Sequence, residues 1–215
     1  LKRRREGESL PRGAAGGNEG KNPSALQARL LERLPFPLTG AQEEVLVEIN
    51  RDLGSGRAMA RLLQGDVGSG KTLIAFLAAL NCVERGMQAA ILAPTELLAK
   101  QHAAQAGRIL DPLGVRLACL SGSVSAAGRR PLLKALKEGD IDIIIGTHAL
   151  FSKELEYRNL GLVVVDEQHR FGVAQRVELR DKASGVDPDL LIMTATPSPR
   201  TLSMTLYGDL DVSVI

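Results

Sequence analysis

Between residues 60 and 195, short runs that are apolar at nearly every position alternate with longer stretches in which apolar side chains recur every three or four residues. The runs at 61–64, 89–93, 115–120, 141–145, 162–165 and 190–193 predict strands. Several are apolar throughout, the pattern of strands covered on both faces and hence of a mostly parallel sheet flanked by helices on both sides. The stretches 71–84, 96–110 and 126–137 predict the helices between them. Nearer the start, Asn22-Pro23 reads as a cap followed by proline in the first turn, and Leu26, Leu30, Leu31 and Leu34 share one face. Residues 23–34 thus predict a helix docked on the body, ended by Pro35-Phe36-Pro37. The fold class is α/β, in which ligands sit at the carboxyl ends of the strands.

Composition changes this picture little. The 215 residues are 44% hydrophobic, enough for one large domain with a full core. The longest apolar stretch, 73–83, is too short to cross a bilayer, which takes about 20 residues. The basic opening Leu1-Lys2-Arg3-Arg4-Arg5 lacks the apolar segment of a signal peptide, so the reading is cytoplasmic, with no membrane. Residues 1–22, rich in Gly, Arg and Glu, predict an unstructured linker. The first residue is not Met, and the expectation is of an excised piece of a longer protein. Cys82 and Cys119 have no metal-ligand spacing and read as buried thiols in a reducing compartment.

Charge adds one constraint. The chain carries 27 Lys and Arg against 25 Asp and Glu, but residues 1–34 hold eight basic groups against four Glu, so the remainder is slightly acidic. Nucleic acid would have to be bound by local contacts rather than by a general positive field.

The candidate chemistry begins at Gly65-Asp66-Val67-Gly68-Ser69-Gly70-Lys71-Thr72, the full G-x-x-x-x-G-K-[ST] pattern between a predicted strand and a predicted helix. Such a loop turns its N–H groups around phosphate oxygens and adds a helix amino terminus. Lys71 would reach the β and γ phosphates, and the Thr72 hydroxyl would ligate Mg²⁺. The run Val163-Val164-Val165-Asp166-Glu167-Gln168-His169-Arg170-Phe171 offers a zinc site, an acid/base pair or a magnesium-nucleotide site. The phosphate loop favours the last, with Asp166 holding magnesium and Glu167 orienting or deprotonating the attacking water. Zinc is disfavoured because Asp166, Glu167 and His169 are too close in sequence to surround one ion.

Read in order, Pro35-Phe36-Pro37-Leu38-Thr39-Gly40-Ala41-Gln42, the phosphate loop, Ala93-Pro94-Thr95-Glu96-Leu97-Leu98-Ala99-Lys100-Gln101-His102, Gly146-Thr147-His148-Ala149-Leu150, Asp166-Glu167-Gln168-His169 and Thr194-Ala195-Thr196-Pro197 resemble the motif series of superfamily-two helicases. Within that superfamily, Asp166-Glu167-Gln168-His169-Arg170-Phe171-Gly172-Val173 and the closing Tyr207-Gly208-Asp209-Leu210-Asp211-Val212-Ser213-Val214-Ile215 look like the RecG-type ATP-dependent DNA helicases. The transcription-repair coupling factors share most of this but usually read Glu-Gln where Gln168-His169 stands, and Ser198 replaces a usual apolar residue.

The resemblance implies a RecA-like P-loop domain over 35–215, ATP and Mg²⁺ as cofactors, and branched or duplex DNA as partner. It implies that Gln42 reads the adenine edge with Phe36 packed near the base; on its own, Gln42 reads as a surface helix residue. It implies that Pro94, Thr95, Glu96, Gly146, Thr147 and His148 meet DNA phosphates, and that His169, Thr194 and Thr196 couple the two sites. A second motor domain and a DNA-binding wedge of the full-length bacterial protein are further expected partners, without which this piece is expected to be weak or inactive. An ATP-gated binding module is the alternative from a different class. Arg170 and Phe171 receive no role beyond packing and charge.

Overall fold

The structure, a computed structural model, describes residues 22–122, 124–152, 154–166, 187–195 and 210–215. The expected linker up to residue 21, and Glu167, His169, Arg170, Phe171, Thr196 and Ser198, lie outside the described residues.

Seven strands form one sheet: β1 (Ala60–Gln64), β2 (Gln88–Leu92), β3 (Leu117–Leu120), β4 (Ile143–Gly146), β5 (Leu160–Asp166), β6 (Asp189–Thr194) and β7 (Asp211–Val214). Their spatial order is β3-β4-β2-β5-β6-β1-β7, and every pairing is parallel. A parallel sheet needs crossovers, supplied here by α3 (Lys71–Glu84), α4 (Glu96–Leu110) and α5 (Ala126–Glu138). Alternate strand positions feed two cores. Leu63, Ile91, Ile145, Val164 and Met193 pack under α3, α4 and the two N-terminal helices. Leu62, Leu92, Ile144, Val163 and Ile192 face the other way, toward Leu132, Leu133 and Leu136 of α5. That two-sided burial is why the strands read as unbroken apolar runs.

One long helix and one strand lie outside the elements expected from the sequence. Helix α2 (Gly40–Gly54) buries Gln42, Val45, Leu46, Ile49, Asn50 and Leu53 at helical spacing, with two amides interrupting its apolar stripe. Strand β7 is a short edge strand that pairs with β1, with Asp211 and Val214 exposed and Ser213 buried. Arg61 joins the two surprises. Its guanidinium, 8% exposed, donates to Asp52 at 2.6 and 2.8 Å and to Glu48 at 2.8 Å on α2, and to the Ser213 hydroxyl on β7 at 2.6 Å.

The docked N-terminal helix is α1 (Ala25–Leu31), shorter than 23–34. Its cap is Ser24 rather than Asn22, because the Ser24 hydroxyl and the Gln27 side chain form a reciprocal capping box. Its amino end is closed by α3: the Glu84 carboxylate accepts from Ala25 N–H at 3.0 Å and Leu26 N–H at 3.1 Å. Burial pushes the Glu84 carboxyl up, but the Ser24 hydroxyl and these two N–H groups together outweigh it and hold it below its ordinary value. Gln27, fully buried, exchanges hydrogen bonds with Asn50 at 2.9 and 3.0 Å and donates to the Leu77 carbonyl at 2.8 Å.

Cys82 is buried, and burial pushes its thiol far up. Cys119 is only partly covered, a correction to the sequence reading, since it lies on β3, the edge strand of the sheet. No helix among the described residues is long and apolar enough to cross a membrane.

Candidate functional site

An all-parallel sheet brings every strand's carboxyl end to one edge, and the strand order then decides which loops are neighbours. Across that edge, Thr147 and His148 follow β4, Ala93 to Glu96 follow β2, Asp166 ends β5, Thr194 ends β6 and the phosphate loop follows β1. Residues scattered over some 130 positions fall in a single row. With strands about 4.7–4.9 Å apart, Asp166 stands two strands, or about 10 Å, from the root of the phosphate loop. The ladder fixes this level: Gln64 pairs with Thr194 and Asp166 with Met193.

The phosphate loop itself is set by two left-handed glycines. Gly68 has φ 85° and Gly70 has φ 91°, and Gly70 is the residue that opens α3. Side chains other than glycine meet a steric cost there. Lys71 Nζ donates to the Gly65 carbonyl at 2.7 Å and the Asp66 carbonyl at 2.8 Å, folding its charge over the loop. Val67 stands 90% exposed at the tip. The base of the loop is braced by the chain end, where Ile215 N–H donates to the Gln64 carbonyl at 2.9 Å.

Two observations test whether these residues fit a magnesium nucleotide. Ser69 Oγ is buried within the loop with no hydrogen-bond partner among the described residues, and a buried polar atom left alone is costly unless something else meets it. Thr72 and Asp166 add a hydroxyl and a carboxylate, oxygen donors of the hard type Mg²⁺ takes. The residues therefore fit the group: Thr72 and Asp166 would hold the metal, and the loop with Lys71 the phosphates. Among the described residues no cluster of three or more His, Cys, Asp or Glu could hold a metal ion, and the remaining members of the zinc alternative, Glu167 and His169, fall outside them.

Gln42 is not a surface residue. It is 9% exposed and sits at the third position of α2, where its Oε1 accepts from Thr39 N–H at 3.0 Å in a capping box. Its Nε2 donates to the Ser69 carbonyl at 2.8 Å, tying α2 to the phosphate loop. The Thr-x-x-Gln spacing of Thr39 and Gln42 was the readable signal for that box. An amide keeps a second N–H and a second lone pair, so this anchoring leaves one donor and one acceptor for a further partner. Phe36 is 55% exposed and lines a groove of about 420 Å³ with Leu31, Pro37, Leu38 and Val47, on the α1 and α2 side.

The six residues expected to meet DNA divide. Thr95, Glu96 and His148 are exposed and Pro94 partly so, but Gly146 and Thr147 are buried. Gly146 packs so closely on β3 that an added Cβ would stand 2.6 Å from the Leu120 carbonyl. Its role is to let β4 and β3 approach. Thr95 caps α4 by accepting from Leu98 N–H at 3.3 Å, and Glu96 accepts from Gly122 N–H at 2.8 Å. Thr194 is buried at the end of β6, and its carbonyl accepts from Gly65 N–H at 3.2 Å, the first residue of the phosphate loop.

One residue of the site was missed. His102 Nε2 stands 2.7 Å from Asp166 Oδ2, with both side chains largely covered. The pair is 64 positions apart in sequence, but the buried face of α4 runs Ala99, His102, Ala106, Leu110, and an imidazole inside an alanine stripe was a signal to follow.

The chain is similar to known proteins in sequence and in fold. The sequence pattern described as DEAD/DEAH box helicase matches residues 39–205. The chain is 54% identical over 197 residues to the ATP-dependent DNA helicase RecG of Treponema pallidum, covering 89% of this chain and 29% of that protein. It is 52% identical over 187 residues to the RecG of Bacillus subtilis, covering 87% and 27%. A solved structure of RecG bound to a three-way DNA junction superposes with a TM-score of 0.78 at 41% identity, over 88% of this chain and 25% of that one. The chain thus spans between a quarter and a third of the length of these relatives.

Proposed function

Because the chain belongs to the DEAD/DEAH box helicase family, we propose that it is the ATP-binding motor domain of a RecG-type DNA helicase, a bacterial cytoplasmic enzyme that remodels branched DNA in recombination and repair. The single observation that carries this reading is the row of loops along one sheet edge. Phosphate loop and Thr194 lie at one end, Thr95 and His148 at the other, with Asp166 between them. The second half of that row presents Thr95 and His148 exposed, the groups a DNA phosphate would meet.

The roles follow from the chemistry of each group. The phosphate-loop N–H groups and Lys71 bind and orient the triphosphate. The Gln42 amide and Phe36 hold the adenine. Magnesium, when bound by Thr72 and Asp166, supplies charge neutralisation at the transferring phosphate. Glu167, next in chain to Asp166, orients the attacking water and takes its proton. Thr95 and the amino end of α4 bind DNA phosphates, contacts blind to base sequence that suit a slightly acidic body. His169, Thr194 and Thr196 relay hydrogen bonding between the two halves of the row. A second motor domain and a wedge, carried elsewhere in the full-length protein, complete the cleft and select the junction. The 215 residues assayed alone should bind ATP weakly and turn it over poorly.

The test uses the full-length protein, fluorescent ADP binding and ATP hydrolysis with and without forked DNA. Lys71→Ala should lose nucleotide affinity with the fold retained; unchanged binding would sink the phosphate-loop assignment. Glu167→Gln should retain nucleotide and abolish turnover. A silent Glu167→Gln would instead identify an ATP-gated binding module that does no work on DNA.

A further inference from the structure

The magnesium carboxylate is held by a residue from another helix. Asp166 ends β5, where the ladder to Met193 of β6 fixes its backbone but leaves the two rotatable bonds of its side chain free. His102 supplies the constraint: its Nε2 is 2.7 Å from Asp166 Oδ2, and the two side chains are 11% and 18% exposed. An ionised carboxylate only accepts, so the imidazole Nε2–H is the donor, whichever charge the ring carries. The histidine is itself rigidly placed. It lies on the second turn of α4, on the face where Ala99 and Ala106 are fully buried and bring the helix close to the sheet.

We propose that His102 is a positioning residue for the metal site, donating to Asp166 Oδ2 so that Oδ1 is presented to magnesium. The inference rests on the reading of Asp166 as the metal carboxylate. Hydrogen bonds to a ligating carboxylate orient it, and removing such a partner typically costs about 10- to 100-fold in metal affinity or activity. A histidine packed in a core for its bulk would have no such effect, because its loss would lower stability without touching the metal.

The experiment measures Mn²⁺ binding to the ADP-loaded full-length enzyme by electron paramagnetic resonance, for wild type, His102→Ala, His102→Gln and Asp166→Asn. ADP affinity in EDTA and the melting temperature are measured alongside. His102→Ala should weaken Mn²⁺ binding about 10- to 100-fold with ADP affinity in EDTA unchanged. His102→Gln, which keeps an N–H donor of similar reach, should recover most of the loss. Unchanged Mn²⁺ affinity in His102→Ala beside a weakened Asp166→Asn would overturn the role of His102 alone. So would a glutamine variant no better than alanine. If Asp166→Asn also binds Mn²⁺ normally, the assignment of the metal carboxylate fails and the positioning role with it.

Discussion

Three glycines near the nucleotide loop should respond to the same methyl group in three different ways. At Gly70, φ is 91° and an added Cβ would lie 2.4 Å from Gln42 Nε2. At Gly68, φ is 85° but nothing stands within 4 Å. At Gly40, the first residue of α2, no positive φ and no contact within 4 Å oppose a side chain. Placing alanine in the left-handed region costs about 1–2 kcal/mol, partly offset by about 0.4–1 kcal/mol from a stiffer unfolded chain. Gly68→Ala should therefore lose about 1 kcal/mol. Gly70→Ala carries the same strain and must also expel the Gln42 amide, breaking the 2.8 Å bond to the Ser69 carbonyl and disturbing the capping box at Thr39. Those losses add about 0.5–1.5 and 0.5–2 kcal/mol, for a total of about 2–4. Gly40→Ala should gain about 0.4–1 kcal/mol. At about 2–4 °C per kcal/mol for a domain of this size, thermal melts should rank Gly40→Ala above wild type, then Gly68→Ala, with Gly70→Ala lowest by about 5–15 °C. In a Gln42→Ala background the excess cost of Gly70→Ala should vanish, a coupling that a double-mutant cycle reads directly. Equal melting temperatures for Gly68→Ala and Gly70→Ala would refute the reasoning, because they would show that the Gln42 amide does not brace the loop.

Other consequences concern the N-terminal helix. Gln27→Leu should cost about 2–4 kcal/mol by leaving the Asn50 amide and the Leu77 carbonyl short of partners, while Gln27→Leu with Asn50→Leu should melt higher than the single variant, since it removes the buried Asn50 amide and leaves the partly exposed Asn81, which donates to Asn50 at 3.0 Å, to bond water; calorimetry on the pair decides. The Glu84 carboxyl is held below its ordinary value of 4.5 by the groups of α1 it accepts from, so its ionised form is favoured in the folded state. Its contribution is therefore present above that value and lost as pH falls through the folded-state value. The stability gap between wild type and Glu84→Gln should be small, because Glu84 is mostly solvated, visible at neutral pH and gone in acid, as measured by denaturant titration at a series of pH values.

The sequence by itself determined the class of the fold and the identity of the nucleotide loop. Runs such as Ile143-Ile144-Ile145 and Leu162-Val163-Val164-Val165 can be satisfied only by cover on both faces, and the pattern Gly65 to Thr72 carries its own geometry in its glycines and lysine. Both signals are local, so they can be read without knowing what lies nearby. Helix α2 escaped because Gln42 and Asn50 occupy core positions, where their polarity is matched by Ser69 and Gln27 brought from elsewhere in the chain. Strand β7 escaped because it is four residues long and its polarity does not follow its burial, Ser213 being buried and Val214 exposed.

What only the tertiary structure decided was adjacency. No period or composition places β5 between β2 and β6, yet that order sets Asp166 between the loop that would hold phosphate and the loops that would hold DNA. Burial of Gly146 and Thr147, exposure of Thr95 and His148, and the contact of His102 with Asp166 all follow from how α4 and the edge strands pack on that sheet. Strand periodicity fixes which face a residue points to, whereas neighbours across the sheet are fixed by the crossovers, and a crossover leaves no local trace in the residues it joins.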